Sequence, residues 1–452
     1  MLKVVILAAG AGTRMKSKIP KVLHKIIDKS MLDYVIDSAI EAGALEVCVV
    51  VGHMKDQVMA EVKHQVVFVE QDEQLGTGHA VMQAKSFIGT EGQTLILFGD
   101  TPMITGSTLK KMQAYHQKTN QTVTVLSTLV EDSSGYGRIV RDQDGEFMKS
   151  VEHKDASDDE RAIKEINSGR YLFEAKALVD ALVKITTDNT QGEYYLPDTL
   201  NVIMDACMKD DAMVTSDYQE ILGINNKVQL AEAGKIIQTR INQKLMLSGV
   251  TITDPEHTYI GKDVTVDADA IILPGTTIVG LSHVSEDAII GPNSYIDSSI
   301  IGEGTKINQS NVFNSKIGEH TTVGPYAYIR PNCTIGNHIK IGDFVEIKNA
   351  IIEDGSKVSH LTYIGDADVG KNVNFGCGTV VVNYDGVNKN RATIKDNAFI
   401  GCNTNLISPV VVEENAYTAA GSTISKNVPS YALGIARAKQ INIDDWVKRK
   451  RN

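Results

Sequence analysis

A period of six residues constrains this chain more than any other feature. Ile260, Val266, Ile272, Ile278, Val284, Ile290 and Ile296 stand six apart. After slips the spacing returns in Ile317, Val323, Ile329, Ile335, Ile341 and Ile347, and again in Ile394, Ile400, Leu406, Val412, Thr418 and Ile424. Glycine follows many of these aliphatics, as in Ile317-Gly318, Ile335-Gly336 and Ile400-Gly401. An α-helix repeats about every 3.6 residues, so it cannot carry the pattern. A parallel β-helix can, because one flat strand and one turn consume each hexad. The aliphatic then points inward and small residues turn the corner. The segment Asn383–Ala392 (NYDGVNKNRA) breaks the period, is polar and carries two positive side chains. It reads as a loop inserted on one face of the coil, often the binding face.

Residues 1–225 follow a different rule. Lys3–Ala8, Val47–Val51, Val66–Val69, Thr94–Phe98 and Thr122–Thr128 read as strands, the first four as the near-continuous apolar runs of strands covered on both faces. Amphipathic stretches such as Leu32–Ala42 and Gly78–Phe87 lie between them. The alternation predicts an α/β, mostly parallel, doubly wound sheet with ligands at the C-terminal strand ends. Residues 226–247 read as one long helix, with Leu230, Ala233, Ile237, Ile241 and Leu245 on one face. The expected organisation is a domain over 1–226, a helical linker over 227–249 and a solenoid over 250–452.

The formal charge of −11 argues against a nucleic-acid partner. Five scattered cysteines without a C-x-x-C pair fit neither a disulfide framework nor a zinc finger, and favour a reducing compartment. No apolar run reaches the ~18 residues of a membrane span, and the N-terminus does not read as a signal peptide. The expectation is a cytoplasmic protein without membrane contact. The basic end, Trp446–Arg451, reads as solvated tail, with phosphate contact as the alternative.

The first strand runs into Leu7-Ala8-Ala9-Gly10-Ala11-Gly12-Thr13-Arg14-Met15, with Pro20-Lys21-Val22-Leu23 close behind. Small residues let backbone approach a ligand, and Arg14 and Lys21 bring two cations near one phosphate group. This run resembles the sugar-1-phosphate nucleotidyltransferases, although Ala11 stands where relatives often carry Lys. Further segments match that family in order. Glu70–Ala80, with Gln71, Gly76 and Thr77, resembles its uracil-binding segment. Phe98-Gly99-Asp100 ends an apolar strand in a carboxylate suited to Mg²⁺. Gly135–Arg138, Val151–Lys154 and Glu165–Asn167, with Gly137, Glu152 and Asn167, resemble its sugar-binding segments. Asn225, in Gly223–Asn226, is the expected second metal ligand. His79 and His153 read as structural. The resemblance implies attack of a sugar-1-phosphate oxygen on the α-phosphorus of UTP, with Arg14 and Lys21 catalytic and no general base needed, since the nucleophile is already anionic.

Joined to a hexapeptide solenoid, this domain resembles the bacterial bifunctional N-acetylglucosamine-1-phosphate uridyltransferase/glucosamine-1-phosphate acetyltransferases along essentially the whole chain. The resemblance implies a Rossmann-like nucleotidyltransferase domain, a left-handed parallel β-helix and a homotrimer with acetyltransferase sites between subunits. It implies His360 as the general base that deprotonates the attacking amine, a task suited to a group titrating near neutrality. Glu346 is the expected orienting partner of His360. Arg330 and Lys348 match phosphate ligands, and Tyr363 and Asn374 match sugar contacts. Cys377, Asn383, Tyr384, Cys402, Ala420 and Arg437 match acetyl-CoA contacts. Cys377 and Cys402 also raise an acyl-cysteine intermediate, against which stands the lack of a histidine beside either in sequence. The expected product is UDP-N-acetylglucosamine for the cell envelope, with Mg²⁺ as cofactor and UTP, glucosamine-1-phosphate, N-acetylglucosamine-1-phosphate and acetyl-CoA as substrates. The alternatives are a single-activity nucleotidyltransferase with a purely structural β-helix, and a non-catalytic sugar-nucleotide-binding subunit.

Overall fold

The computed structural model describes residues 1–451. It divides into two compact units, Met1–Ile237 and the chain from Gln238 onward.

The first unit is built on a nine-stranded sheet. Its strands are β1 (Leu2–Leu7), β2 (Glu46–Val51), β3 (Val67–Glu70), β4 (Gln93–Phe98), β5 (Val123–Leu129), β6 (Gly137–Arg141), β7 (Phe147–Val151), β8 (Glu165–Glu174) and β9 (Asp210–Thr215). The spatial order is β9-β5-β8-β4-β1-β2-β3, with β6 pairing β8 and β7. Strands β3, β2, β1 and β4 are parallel, as their unbroken apolar runs predict. Strand β9 is also parallel to β5, but the sheet is mixed rather than mostly parallel, because β8 runs antiparallel to β4, β5 and β6, and β6 antiparallel to β7. The hydrophobic pattern of β8 is interrupted by Asn167-Ser168-Gly169, where its register on β5 shifts. Gly169 is required there: φ is +77°, and a Cβ would lie 2.8 Å from the Phe98 ring. The helix expected over 78–87 is split into Thr77–Gln83 and Lys85–Ile88. The predicted connector is one helix, Lys227–Leu247.

The second unit is a coil of three parallel sheets of eleven, ten and nine short strands. Ile260 pairs with Ile278 and Ile278 with Ile296, so three hexads make one full coil. The slips in the period are coils shorter than three hexads, as where Val284 pairs with Ile301 and Ile301 with Ile317. The buried aliphatic column stays continuous through them. Val369 pairs with Ile394 across a longer coil, and the excess is the Asn383–Ala392 insertion. At the N-terminal end, Ile241, Leu245 and Met246 of the long helix pack against this core.

The glycines after the aliphatics serve a different purpose from the expected one. Gly302 and Gly318 do not have positive φ; a Cβ on Gly302 would sit 2.6 Å from the carbonyl carbon of Gly318, and one on Gly318 2.7 Å from that of Gly336. Close approach of successive coils excludes a side chain there. Many left-handed corners fall instead to asparagines such as Asn314, Asn332 and Asn349, a residue type that tolerates that conformation.

Candidate active sites

In the first unit, the ends of β1 and β4 open into a cavity of ≈ 380 Å³ lined by Leu7, Ala8, Ala9, Gly10, Gln71, Gly76, Thr77, Phe98 and Asp100, among others. Backbone hydrogen bonds from Gly99 to Leu7 (2.9 Å) and from Ile224 to Asp100 (3.0 Å) hold its floor together. Gly12 has φ +59°, and a Cβ on it would lie 2.5 Å from Lys21 Cβ, so glycine lets Lys21 pack beneath the loop. Lys21 Nζ then donates to Asp100 Oδ2 (2.5 Å) and Asn225 Oδ1 (2.7 Å), while Arg14 Nη2 donates to the same Asn225 oxygen (2.8 Å). Four residues distant in sequence thus meet at one point. Asn226, the other candidate, accepts instead from the backbone N–H of Gln229 (2.9 Å), within the start of the long helix.

Gln71 is buried, with its amide against the Gly76 carbonyl (3.2 Å) and His79 Nδ1 (3.1 Å). The other His79 nitrogen meets Gln83 (3.0 Å), so His79 braces Gln71, the structural part expected of it. A second cavity of ≈ 330 Å³ shares Thr77 and Phe98 with the first and adds Glu152 and Asn167. The Asn167 amide is fixed on Ser150 Oγ (2.8 Å) and the Tyr171 hydroxyl (2.9 Å). Burial, reinforced by Asp155 and Asp198, pushes the Glu152 carboxyl above the ordinary range. Gly137 lies against it, its Cβ direction 3.3 Å from Glu152 Oε1. His153 sits on buried Arg138 (3.3 Å), again a structural contact.

In the β-helix, one corner gathers the other candidates. Asp343 and His360 are paired in register, and Asp343 Oδ1 lies 2.6 Å from His360 Nδ1. That hydrogen bond holds the Asp343 carboxyl below its usual range. Two residues beyond the successive pairs Val358–Phe375, Phe375–Ile400 and Ile400–Thr418, the same corner carries His360, Cys377, Cys402 and Ala420. Backbone bonds from Asn403 to Cys377 (2.7 Å) and from Gly421 to Cys402 (2.8 Å) bind these levels together.

On the adjoining face, Arg330 pairs with Glu346 (2.8 Å). Lys348 lies 3.8 Å from Asp366 Oδ2, and the neighbouring Lys389 ammonium is the main cause that lowers its pKa. Tyr363 folds over Gly365, whose missing Cβ leaves room for the tyrosine hydroxyl. Asn374 is half-buried on the coil after His360. Asn383 is buried and its amide is bonded to Asp366. Tyr384 is exposed on the inserted loop, and Arg437 is exposed in the C-terminal segment.

Residues 3–229 match the family described as Nucleotidyl transferase, and residues 314–349 match Bacterial transferase hexapeptide (six repeats). The chain is 51% identical over 448 residues to the Bifunctional protein GlmU of Clostridioides difficile, covering 99% of this chain and 98% of that protein. It is 49% identical to the one from Clostridium acetobutylicum and 48% identical to the one from Listeria innocua, at 99% and 97% of this chain and 98% and 96% of theirs. The chain belongs to the GlmU family. Its fold is the one that membership implies, a Rossmann-like α/β nucleotidyltransferase unit and a left-handed parallel β-helix.

For this GlmU-family chain the geometry corrects one expectation. The partner of His360 is Asp343, not Glu346, because the register of the coil brings residue 343 under residue 360. Glu346 faces Tyr363 in the next sheet and pairs with Arg330 instead. Two other residues, Lys389 and Arg170, escaped sequence reasoning, and the burial of a third, Arg138, was not foreseen. Lys389 was visible only as a charge in the insertion. Arg170 is wholly buried, donates to the carbonyls of Ser168 (2.6 Å) and Ile221 (3.1 Å), and has its pKa drawn down to about 10 by that burial, against the pull of Asp100. It thereby ties the β8 irregularity to the segment leading to Asn225. Arg138 is similarly buried beside His153. Arg138 closes the Gly135–Arg138 segment matched by resemblance, which did not reveal its burial, whereas Arg170 carries no local sequence signal of its own.

Proposed function

We propose that the two sites act in succession on one amino sugar. The chain is a bifunctional enzyme, an acetyltransferase and a uridyltransferase. The β-helix (250–452) would acetylate glucosamine-1-phosphate from acetyl-CoA. The unit over 1–226, followed by the helical linker 227–249, would couple the resulting N-acetylglucosamine-1-phosphate to UTP, releasing pyrophosphate and UDP-N-acetylglucosamine. The observation that carries this reading is the corner column of the β-helix, which sets an Asp-oriented histidine directly beside the levels matched to acetyl-CoA.

In acetyl transfer, His360 takes a proton from the amine as nitrogen attacks the thioester carbonyl, and the thiolate leaves and is reprotonated. Asp343 on Nδ1 fixes the ring and leaves Nε2 for that proton. Arg330, Lys348 and Lys389 hold the sugar phosphate, Tyr363 and Asn374 the sugar. Cys377, Cys402, Ala420, Asn383, Tyr384 and Arg437 contact acetyl-CoA.

In uridyl transfer, Gln71 reads the base edge with its amide donor and acceptor. Leu7–Gly10, Gly76, Thr77, Phe98 and Gly99 shape the nucleotide cavity, and Gly137, Glu152 and Asn167 receive the sugar. Arg14 and Lys21, now held on Asn225 and Asp100, shift to the phosphates and stabilise the charge that develops at the α-phosphorus. Asp100 and Asn225 fit Mg²⁺: both are hard oxygen donors, their oxygens already converge on one cation, and the cavity beside them leaves room for phosphate oxygens. Asp100 and Asn225 would hold Mg²⁺ there, and its charge would offset that of the phosphates. A homotrimer, a cytoplasmic location and supply of the cell envelope complete the reading; among the described residues no helix is long and apolar enough to cross a membrane.

The test follows free CoA from acetyl-CoA and glucosamine-1-phosphate, without UTP or Mg²⁺. Rapid release that disappears in His360→Ala is expected. No release, alongside Mg²⁺-dependent pyrophosphate formation from UTP and N-acetylglucosamine-1-phosphate, would reduce the β-helix to a scaffold.

A further inference from the structure

The corner column holds more chemistry than amine acetylation uses. Along successive coils it runs Asp343, His360, Cys377, Cys402. Sequence offered no histidine beside either cysteine, but the register brings one to the neighbouring level: Val358 pairs with Phe375, and two residues beyond each, at the same corner position on successive coils, stand His360 and Cys377. Adjacent levels of parallel strands lie about 4.8 Å apart. Side chains at this position do reach between levels, since Asp343 and His360 meet at 2.6 Å. With Nδ1 committed to Asp343, the Nε2 atom is on the side of the ring turned away from that carboxylate. Cys377 is half-buried and is a free thiol. Acid, imidazole and thiol in consecutive order are the parts of an activated cysteine nucleophile.

We infer that Cys377 is an acyl acceptor: with acetyl-CoA bound and no amino sugar present, the enzyme transfers the acetyl group to Cys377. This rests on the acetyltransferase reading above. The Cys377 thiol gives its proton to His360 Nε2, and sulfur attacks the acetyl carbonyl carbon. The bond from that carbon to the CoA sulfur breaks, and the departing thiolate takes the proton back from His360. The products are S-acetyl-Cys377 and free CoA. One thioester replaces another, so no oxidant or energy source is needed and the step is readily reversible. The amine of glucosamine-1-phosphate needs no such relay, because His360 serves it directly. The cysteine acts when the sugar subsite is empty.

The experiment incubates the full-length protein with acetyl-CoA alone. Intact mass should increase by one acetyl group, removable by neutral hydroxylamine, and peptide mapping should place it on Cys377. Labelled free CoA should exchange into acetyl-CoA without amino sugar, and Cys377→Ala or His360→Asn should slow that exchange by about tenfold or more. An unmodified Cys377 peptide, in a preparation that releases CoA once glucosamine-1-phosphate is added, would overturn the inference while leaving the acetyltransferase intact. A preparation that releases no CoA even with the amino sugar would overturn both.

Discussion

In the α/β unit the groups that meet at the candidate reaction centre come from far along the chain. Arg14 and Asn225 are 211 residues apart, Lys21 and Asp100 79. In the β-helix the corresponding separations are one coil: 17 residues for Asp343 and His360, 16 for Arg330 and Glu346. The first site depends on loops held at strand ends by a few specific bonds, such as Ile224 to Asp100. The second depends on register, which stacks every corner position on its neighbours. A doubly wound sheet therefore gathers chemistry by topology. A solenoid gathers it by arithmetic, and a change of one residue in coil length changes which side chains touch.

The sharpest way to separate the two designs is to remove Lys21. Lys21→Ala deletes the cation shared by Asp100 and Asn225, and uridyl transfer should fall by about 10²–10³-fold. CoA release from the β-helix in the same preparation should be unchanged.

Asp343→Asn tests register in the solenoid. It retains the shape but loses the carboxylate on His360 Nδ1. Acetyl transfer should drop on the order of tenfold to a hundredfold in kcat, with little change in KM for acetyl-CoA. Glu346→Gln should instead raise KM for the amino sugar, since Glu346 holds Arg330. If Glu346→Gln produced the kcat loss, the register account of His360 would be wrong.

Gly318→Val should act on folding. Its Cβ meets backbone on the next coil at 2.7 Å, and forcing bulk into such contacts costs about 1–3 kcal/mol. Thermal unfolding followed by loss of acetyl transfer should move down, while loss of uridyl transfer should not.

The smallest expected effect concerns Glu152, whose carboxyl is raised mainly by burial. A raised folded pKa means the folded form favours the proton. The charge on Glu152 thus opposes folding at neutral pH, and this cost disappears as pH falls below the ordinary carboxylate range. Glu152→Gln should leave the unliganded unit as stable or slightly more so at neutral pH. It should also raise KM for N-acetylglucosamine-1-phosphate several-fold, with KM for UTP unchanged. Wild-type sugar KM should rise on mild acidification, and the variant's should not.

The same contrast governs what could be read from the residues. Period six announced the coil because each hexad repeats the same burial requirement locally. The strands β1, β2 and β4 were legible for a similar reason, as runs buried on both faces, and the edge strand β3, only partly buried, by its short apolar run. The antiparallel β8 was not, because Asn167-Ser168-Gly169 interrupts its pattern where the strand bends around Phe98. Arg14, Lys21, Asp100 and Asn225 could be grouped only through family resemblance, since nothing local links residues 14 and 225. Asp343 was missed because slips conceal the length of each coil. The same concealment hid the adjacency of His360 and Cys377. Arg170 was missed because a buried cation in a strand leaves no local mark.

The most direct test of the central claim, two different activities housed in two units, is a reciprocal pair of variants assayed for both reactions. Asp100→Asn should abolish pyrophosphate formation from UTP and N-acetylglucosamine-1-phosphate and retain CoA release from acetyl-CoA and glucosamine-1-phosphate. His360→Ala should do the reverse. If either substitution abolished both activities in a folded protein, the two-site account would be contradicted.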